Sequence, residues 1–215
     1  MTRTYYAVTV VLIVLAFGAS ALLYPSLPQT VPIHWNIHGE VDGYGDKSLG
    51  LFLMPMVMVL LTGIFLVLPR VSPRQFEVDG FRSTWLFVMV TVVGLVGYLH
   101  AMMLWTLSRG PIDMLRAFMA GLFLFFALCG NVLGRVKRNF WMGVRTPWTL
   151  ASERVWTDTH RMTARLFVAS GVLGVAASLA GMPGWMSIVL ILIVSMIPVV
   201  YSLVLYKRLE RRGEV

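Results

Sequence analysis

Charge is what this chain has least of. Lys, Arg, Asp and Glu make up 13% of its 215 residues, against about 25% in a typical soluble domain. That excludes an ordinary water-soluble globule. Cysteine is almost missing as well. Cys129 alone rules out an intramolecular disulfide and a multi-cysteine metal site, and its apolar neighbours make it a small buried hydrophobe rather than a reactive thiol. No internal repeat or low-complexity stretch is visible, so nothing points to an inverted-repeat transporter. HExxH, GxSxG and paired intramembrane aspartates are absent too, which leaves an intramembrane enzyme without machinery and without an expected cofactor or metal.

Apolar residues are abundant: they form 58% of the chain, and the mean hydropathy is +0.77. A bilayer core needs about 20 apolar residues per helix. Six segments meet that requirement, at 4–24, 50–68, 83–107, 117–134, 162–181 and 185–206. Arg116, beside the fourth and shortest, can snorkel to the interface. Pro55 and Pro198 fall inside spans and should kink them, with neighbouring helices satisfying the freed carbonyls. The first segment has a signal-peptide look, with Arg3 ahead of it and Ala19-Ser20-Ala21 near its end. Its apolar run is too long for that reading.

The net charge of +8 is distributed unevenly. With the N-terminus inside, fifteen of the eighteen Lys and Arg residues fall in inner segments, leaving Lys47, Arg109 and Arg116 outside. An even number of spans with both termini cytoplasmic follows from the positive-inside rule. The basic excess is then a topology signal with attraction to anionic lipid, and no direct nucleic-acid partner is needed. Trp85, Trp105, Trp141, Trp148, Trp156 and Trp185 lie near span ends, where the headgroup level suits an indole. The expected architecture is an all-α membrane protein of six transmembrane helices, with a small structured outer loop and a cytoplasmic interfacial helix. Three units follow: 1–68, with the outer loop at 25–49; 69–134; and 135–215, with an inner segment at 135–161.

In the outer loop Pro25, Pro28 and Pro32 favour extended backbone. Residues 31–36 read as a short strand, and Gly39, Asp42-Gly43 and Gly45 as turns, giving a hairpin or cap. His34 and His38 have the spacing that places two imidazoles on one helix face. In a strand they would instead sit about 13 Å apart, with only Glu40, Asp42 and Asp46 as further ligands. Hydrogen-bonded residues fixing the loop are the preferred reading over a metal site.

The inner segment reads GRVKRNFWMGVRTPWTLASERVWTDTHR. Thr146-Pro147 looks like an N-cap followed by proline at the first helical position, starting a helix that runs into the fifth span. At about 100° per residue, Thr149, Ser152, Glu153, Trp156, Thr159 and His160 share an arc of roughly 120°. Glu153 and His160 stand about 10 Å apart along the axis, able to flank one ligand. The stripe either packs the helix on the bundle, with Arg145 pairing Glu153 or a lipid phosphate, or forms a site for a ligand, proton or partner. Within the spans, His100 reads as a neutral histidine bonded to a neighbouring carbonyl, although an intramembrane ionisable group is also a functional candidate. Gly94 and Gly97 suggest close packing. Ser170, Gly174 and Ser178 form a small-residue face for helix contact, within the chain or between chains.

Two stretches carry a family resemblance. LPQTVPIHWNIHGEVDGYGDK (27–47) resembles the proline-HWN-glycine-aspartate domain at the start of many bacterial membrane proteins. GVRTPWTLASERVWTDTHR (143–161) is similar to the signature of the SdpI family, with the six-span frame matching along nearly the whole chain. The resemblance implies a bacterial inner-membrane immunity protein that protects its host from a secreted, membrane-active toxin peptide. It also implies signalling, in which toxin-bound protein holds a transcriptional repressor at the membrane. The matching outer positions are Pro32, His34, Trp35, Asn36, Gly39 and Asp42. The inner ones are Asn139, Gly143, Arg145, Thr146, Pro147, Trp148, Thr149, Ser152, Glu153, Trp156, Thr159, His160 and Arg161. Ligand and partner contacts are expected from His34, Trp35, Asn36 and Asp42 outside, and from Arg145, Thr146, Trp148, Thr149, Ser152, Glu153, Trp156, Thr159, His160 and Arg161 inside. The competing reading is a small transporter or proton-coupled exporter using His100, Glu153 and His160.

Overall fold

The computed structural model describes residues 2–215. All six apolar segments are helices: α1 (Thr2–Leu23), α2 (Lys47–Val67), α3 (Arg82–Arg109), α4 (Met114–Leu133), α6 (Glu153–Leu179) and α7 (Gly184–Glu210). Each is long and apolar enough to cross a membrane. Exposed Leu192, Ile193, Met196, Val200 and Val204 along α7 give it an apolar outer face, as a lipid-contacting helix requires. Between α1 and α2 lies a two-stranded antiparallel hairpin, β1 (Thr30–Trp35) and β2 (Val41–Asp46). A short helix, α5 (Pro147–Ala151), precedes α6. This is an all-α membrane protein with one small hairpin.

Even helix count sorts the connections into two ends. The hairpin shares one end with the α3–α4 and α6–α7 turns, since Ile37, His38, Asp113, Met182 and Pro183 line one cavity. The other end holds residues 68–81, the segment before α6 and both chain ends; Tyr5 bonds Ser83, and Arg154 pairs with Glu214.

Small residues set the tightest helix contact, between α4 and α6. A Cβ at Gly174 would stand 2.2 Å from the Phe123 ring, and one at Gly171 would stand 2.6 Å from Phe123 O. On α4, a Cβ at Gly130 would meet Phe167 Cβ at 2.8 Å. The expected small-residue face is therefore an internal seam, with Gly171 and Gly130 added. Ser170 instead bonds back to Leu166 O in its own helix. Gly97 packs against Met58, whereas Gly94 has open space beside it and borders a lateral apolar groove.

Pro55 lacks the N–H that would bond the Leu51 carbonyl one turn earlier. Ser20 on α1 takes that place, donating to Leu51 O at 2.7 Å. With its one proton so used, the Ser20 oxygen accepts from His100 Nε2 at 2.9 Å. His100 thus meets a hydroxyl of α1.

Two tryptophans depart from the interfacial expectation. Trp85 and Trp156 are buried, in one cluster with Phe81, Leu86, Met89 and Val136. Their indole N–H groups donate to Phe65 O in the last turn of α2 and to Val136 O in the loop after α4, so each ring pins a backbone carbonyl from inside the core. Trp105 and Trp185 are exposed at the hairpin end, where an interfacial ring belongs.

Candidate functional site

The hairpin is built by its polar residues. Asn36 Oδ1 accepts from the His38 and Glu40 N–H groups at 2.8 and 3.1 Å, and its Nδ2 donates to Glu40 Oε2 at 3.0 Å. Gly39 completes the turn at φ +79°, a conformation that favours glycine. The other expected turn glycines lie within β2 instead. Gly43 faces His34, and Gly45 faces Ile33, with an added Cβ coming within 2.8 and 2.7 Å of those side chains. Cross-strand crowding against the His34 Cβ, not turning, requires glycine at 43, whereas at 45 the close atom is the movable Ile33 Cδ1. Irregular register around His34 is the mark of a bulge, which re-aims side chains.

His34 Nδ1 lies 2.5 Å from Asp42 Oδ1 on the exposed face. Trp35 turns the other way and packs with buried Leu51, Met103 and Leu104. Asp46 caps α2, accepting from Ser48 N at 2.7 Å and from Gln29 Nε2 at 2.7 Å. The Ser48 hydroxyl and N–H hold its carboxyl below the ordinary value. Three of the four expected outer residues thus shape an exposed surface, and Trp35 anchors it to the helices.

At the opposite end, residues 135–161 fold around a polar core bonded mostly to itself, with the buried Thr159 hydroxyl left unpaired. Asn139, fully buried, donates to Lys137 O and Met142 O and accepts from the Trp141 and Met142 N–H groups. All four hydrogen-bonding positions of its amide are used, which fixes a tight loop. The chain then passes Gly143 at φ +108°. A Cβ there would sit 2.2 Å from His160 Nε2, so both the backbone and the space demand glycine.

His160 is buried on α6 and stacks on Trp156 at 4.0 Å between centroids. Its Nε2 accepts from Val144 N–H at 3.0 Å. Nδ1 must then carry the proton, which it donates to Trp156 O at 2.8 Å. Both ring nitrogens are committed, and the tautomer is set by the fold. Thr146 caps α5 reciprocally with Thr149, through Thr149 N to Thr146 Oγ1 at 3.2 Å and Thr146 N to Thr149 Oγ1 at 2.9 Å. The Thr146 hydroxyl also meets Ser202 of α7 at 3.0 Å.

The expected continuous helix from Thr146 does not form. Ser152 is extended, at φ −133° and ψ 126°, and its side chain caps α6 through Val155 N. Two capped helices replace one, because Ser152 satisfies its backbone neighbours better as a cap than as an interior residue. The computed arc consequently breaks at Ser152. Trp156, Thr159 and His160 point into the bundle, while Glu153 stands exposed and pairs with Arg138 at 3.3 Å. Arg145 is not its partner; it donates to Phe140 O. Arg145, Glu153 and Arg161 are exposed and Trp148 is half-buried, so these form the accessible side of the segment.

Sequence reasoning missed Ser202, Arg138 and Ser20 as partners. Each lies far along the chain from the residue it serves, or on a plain apolar helix, and no local pattern marks it. Among the described residues no group of three His, Cys, Asp or Glu side chains stands close enough to hold a metal.

Fold and sites together define a multi-pass membrane protein: six apolar helices, an exposed hairpin at one end and a capped polar motif at the other. The model of the SdpI/YfhL protein family matches residues 135–202. A domain of unknown function, DUF1648, matches residues 11–59, which include the hairpin. The chain is 27% identical over 210 residues to "Immunity protein SdpI" of Bacillus subtilis (strain 168), covering 94% of this chain and 96% of that protein. No solved structure matches.

Proposed function

We propose that the chain is an immunity and sensing protein of the bacterial inner membrane, not an enzyme, protecting its host from a secreted membrane-active toxin peptide. The supporting observation is near full-length similarity to an immunity protein, at 94% coverage, in a chain whose polar groups concentrate at two opposite ends. Both termini lie in the cytoplasm in this reading, because the end they share carries most of the Lys and Arg. The hairpin then faces outward and meets the peptide through His34, Asn36 and Asp42, with Trp35 as its anchor. The motif end faces inward and binds a transcriptional repressor. Arg145, Trp148, Glu153 and Arg161 supply the accessible contacts there. Thr146, Thr149, Ser152, Trp156, Thr159 and His160 hold those contacts in place. The three helix pairs act as outer-loop unit, middle unit and motif unit.

The test is genetic. Deletion of the host gene should sensitise cells to at least one peptide in a panel of membrane-active toxins, with protection restored by the intact gene. Unchanged sensitivity across the panel overturns the proposal.

A further inference from the structure

A cavity of about 340 Å³ opens at the hairpin end, between the tip of the hairpin, the start of α4 and the α6–α7 turn. Its walls include His38, Asp113, Arg116, Ser178, Trp185 and Ser187. Ser178 and Ser187 are each 1% exposed, and neither hydroxyl has a hydrogen-bond partner. Thr159 Oγ1 and His100 Nδ1 are also buried without a partner, but neither lies in the wall of this cavity. Thr9, Thr62, Thr91, Ser108, Thr163, Ser170 and Ser202 all bond back to carbonyls of their own helices. Leaving a buried hydroxyl unpaired is costly, and two of them share this one cavity wall.

The remaining groups indicate the sign of a ligand there. Helix α7 starts after Pro183 with no side chain capping it, so its first N–H groups are free to meet an anion. Arg116 pairs with Asp113 through Nε at 3.3 Å. Its Nη2 remains directed toward the turn, 3.9 Å from the position of a Gly181 Cβ. Asp113 is already engaged, accepting from Arg116 N at 2.9 Å as the cap of α4. With the ion pair neutral, the two hydroxyls and the helix end suit one negative charge. Beside this cavity, and sharing Ile37 and Leu115 with it, runs an apolar groove of about 390 Å³ lined by Trp35, Met54, Met103, Met114 and Phe118. Methionine-rich walls adapt to varied apolar side chains.

We propose that the cavity is a carboxylate site for the C-terminal end of an apolar peptide, whose side chains lie along the adjoining methionine-lined groove. This deepens the reading of the hairpin end as the peptide-facing one and rests on it. The probe is a labelled, N-acetylated five-residue apolar peptide, prepared with a free C-terminal carboxylate and as the C-terminal amide. Binding to the purified full chain in detergent is read by anisotropy. The acid should bind roughly tenfold tighter than the amide, the scale of a charge-assisted hydrogen bond. The S178A/S187A double variant and R116Q should each shrink that ratio. The wild-type comparison of acid with amide needs no variant, so a misfolded substitution does not remove the test. Equal binding of acid and amide overturns the proposal, as does a ratio that S178A/S187A leaves unchanged. Competition by decanoate or inorganic phosphate, with no peptide binding, overturns the peptide as occupant in favour of a lipid acid or a free anion. Protection in cells without acid–amide discrimination removes this site alone; discrimination without protection removes the immunity reading alone.

Discussion

Gly143→Ala puts the motif-end architecture to its sharpest test. The substitution meets two separate obstacles. At φ +108° an alanine is strained by about 1–2 kcal/mol. Its Cβ would also lie 2.2 Å from His160 Nε2, which no rotation of alanine relieves. The ring must move, breaking the Val144 N–H bond and leaving a part-buried donor and a buried acceptor unpaired, for about 1–3 kcal/mol more. The expected cost is about 3 kcal/mol. Because the second part exists only while His160 is present, the same substitution in a His160→Ala background should cost only the backbone strain. Unfolding in mixed micelles, followed by tryptophan fluorescence, measures both arms, and the coupling between them should be about 1–3 kcal/mol. A Gly143→Ala protein within about 0.5 kcal/mol of the parent would refute the reasoning. So would an equal cost in both backgrounds.

Ser20→Ala leaves the Leu51 carbonyl and His100 without a partner and should cost about 1–3 kcal/mol in the same assay. Pro55→Ala should recover part of that loss by restoring the helix bond, and failure of the rescue would reject the proline-coupled account. At the α4–α6 seam, Gly174→Val should be poorly tolerated because its side chain enters the Phe123 ring; Phe123→Ala should restore folded yield, and no restoration would place the clash elsewhere. Acid should loosen the start of α2. The Asp46 carboxyl is held below its ordinary value, so its capping contribution is complete above the unfolded value and is lost as pH falls through the lower folded one. The protection factor of the Ser48 amide, the exchange rate of the unstructured amide relative to its own at the same pH, should therefore fall in acid, and the step should be absent in Asp46→Asn. His34→Ala and Asp42→Ala should weaken toxin protection without lowering membrane levels, whereas retained protection would exclude that pair from peptide contact.

The spans were legible because each is a long, mostly apolar run, and burial in lipid leaves little else for such a run to do. The hairpin was legible from proline and glycine, but only half correctly. Gly39 turns the chain, while Gly43 is glycine because the His34 Cβ occupies the space opposite. That is a cross-strand fact which no stretch of sequence contains. Distance along the chain hid the polar pairs in the same way: Ser20 is 80 residues from His100, and Thr146 is 56 from Ser202. The tryptophans misled for a related reason. A ring near a span end serves the headgroup zone or a backbone carbonyl equally well, and only the positions of Phe65 O and Val136 O decide it for Trp85 and Trp156.

The break at Ser152 changes what the inner motif means. On one continuous helix its polar residues would line a single face, and any of them could touch a ligand. Capped as two helices, the segment divides by burial instead. Asn139, Thr146, Thr149 and His160 spend their hydrogen-bonding groups on the chain itself, so replacing them should lower stability first and function as a consequence. Arg145, Glu153 and Arg161 are exposed and sit where substitutions away from the core usually change stability by about 0.5 kcal/mol or less. Loss of signalling at normal protein levels in Arg161→Ala, set against loss of the protein itself in Thr149→Val, would separate the partner surface from its scaffold. Equal losses of protein in both would show that no such division exists.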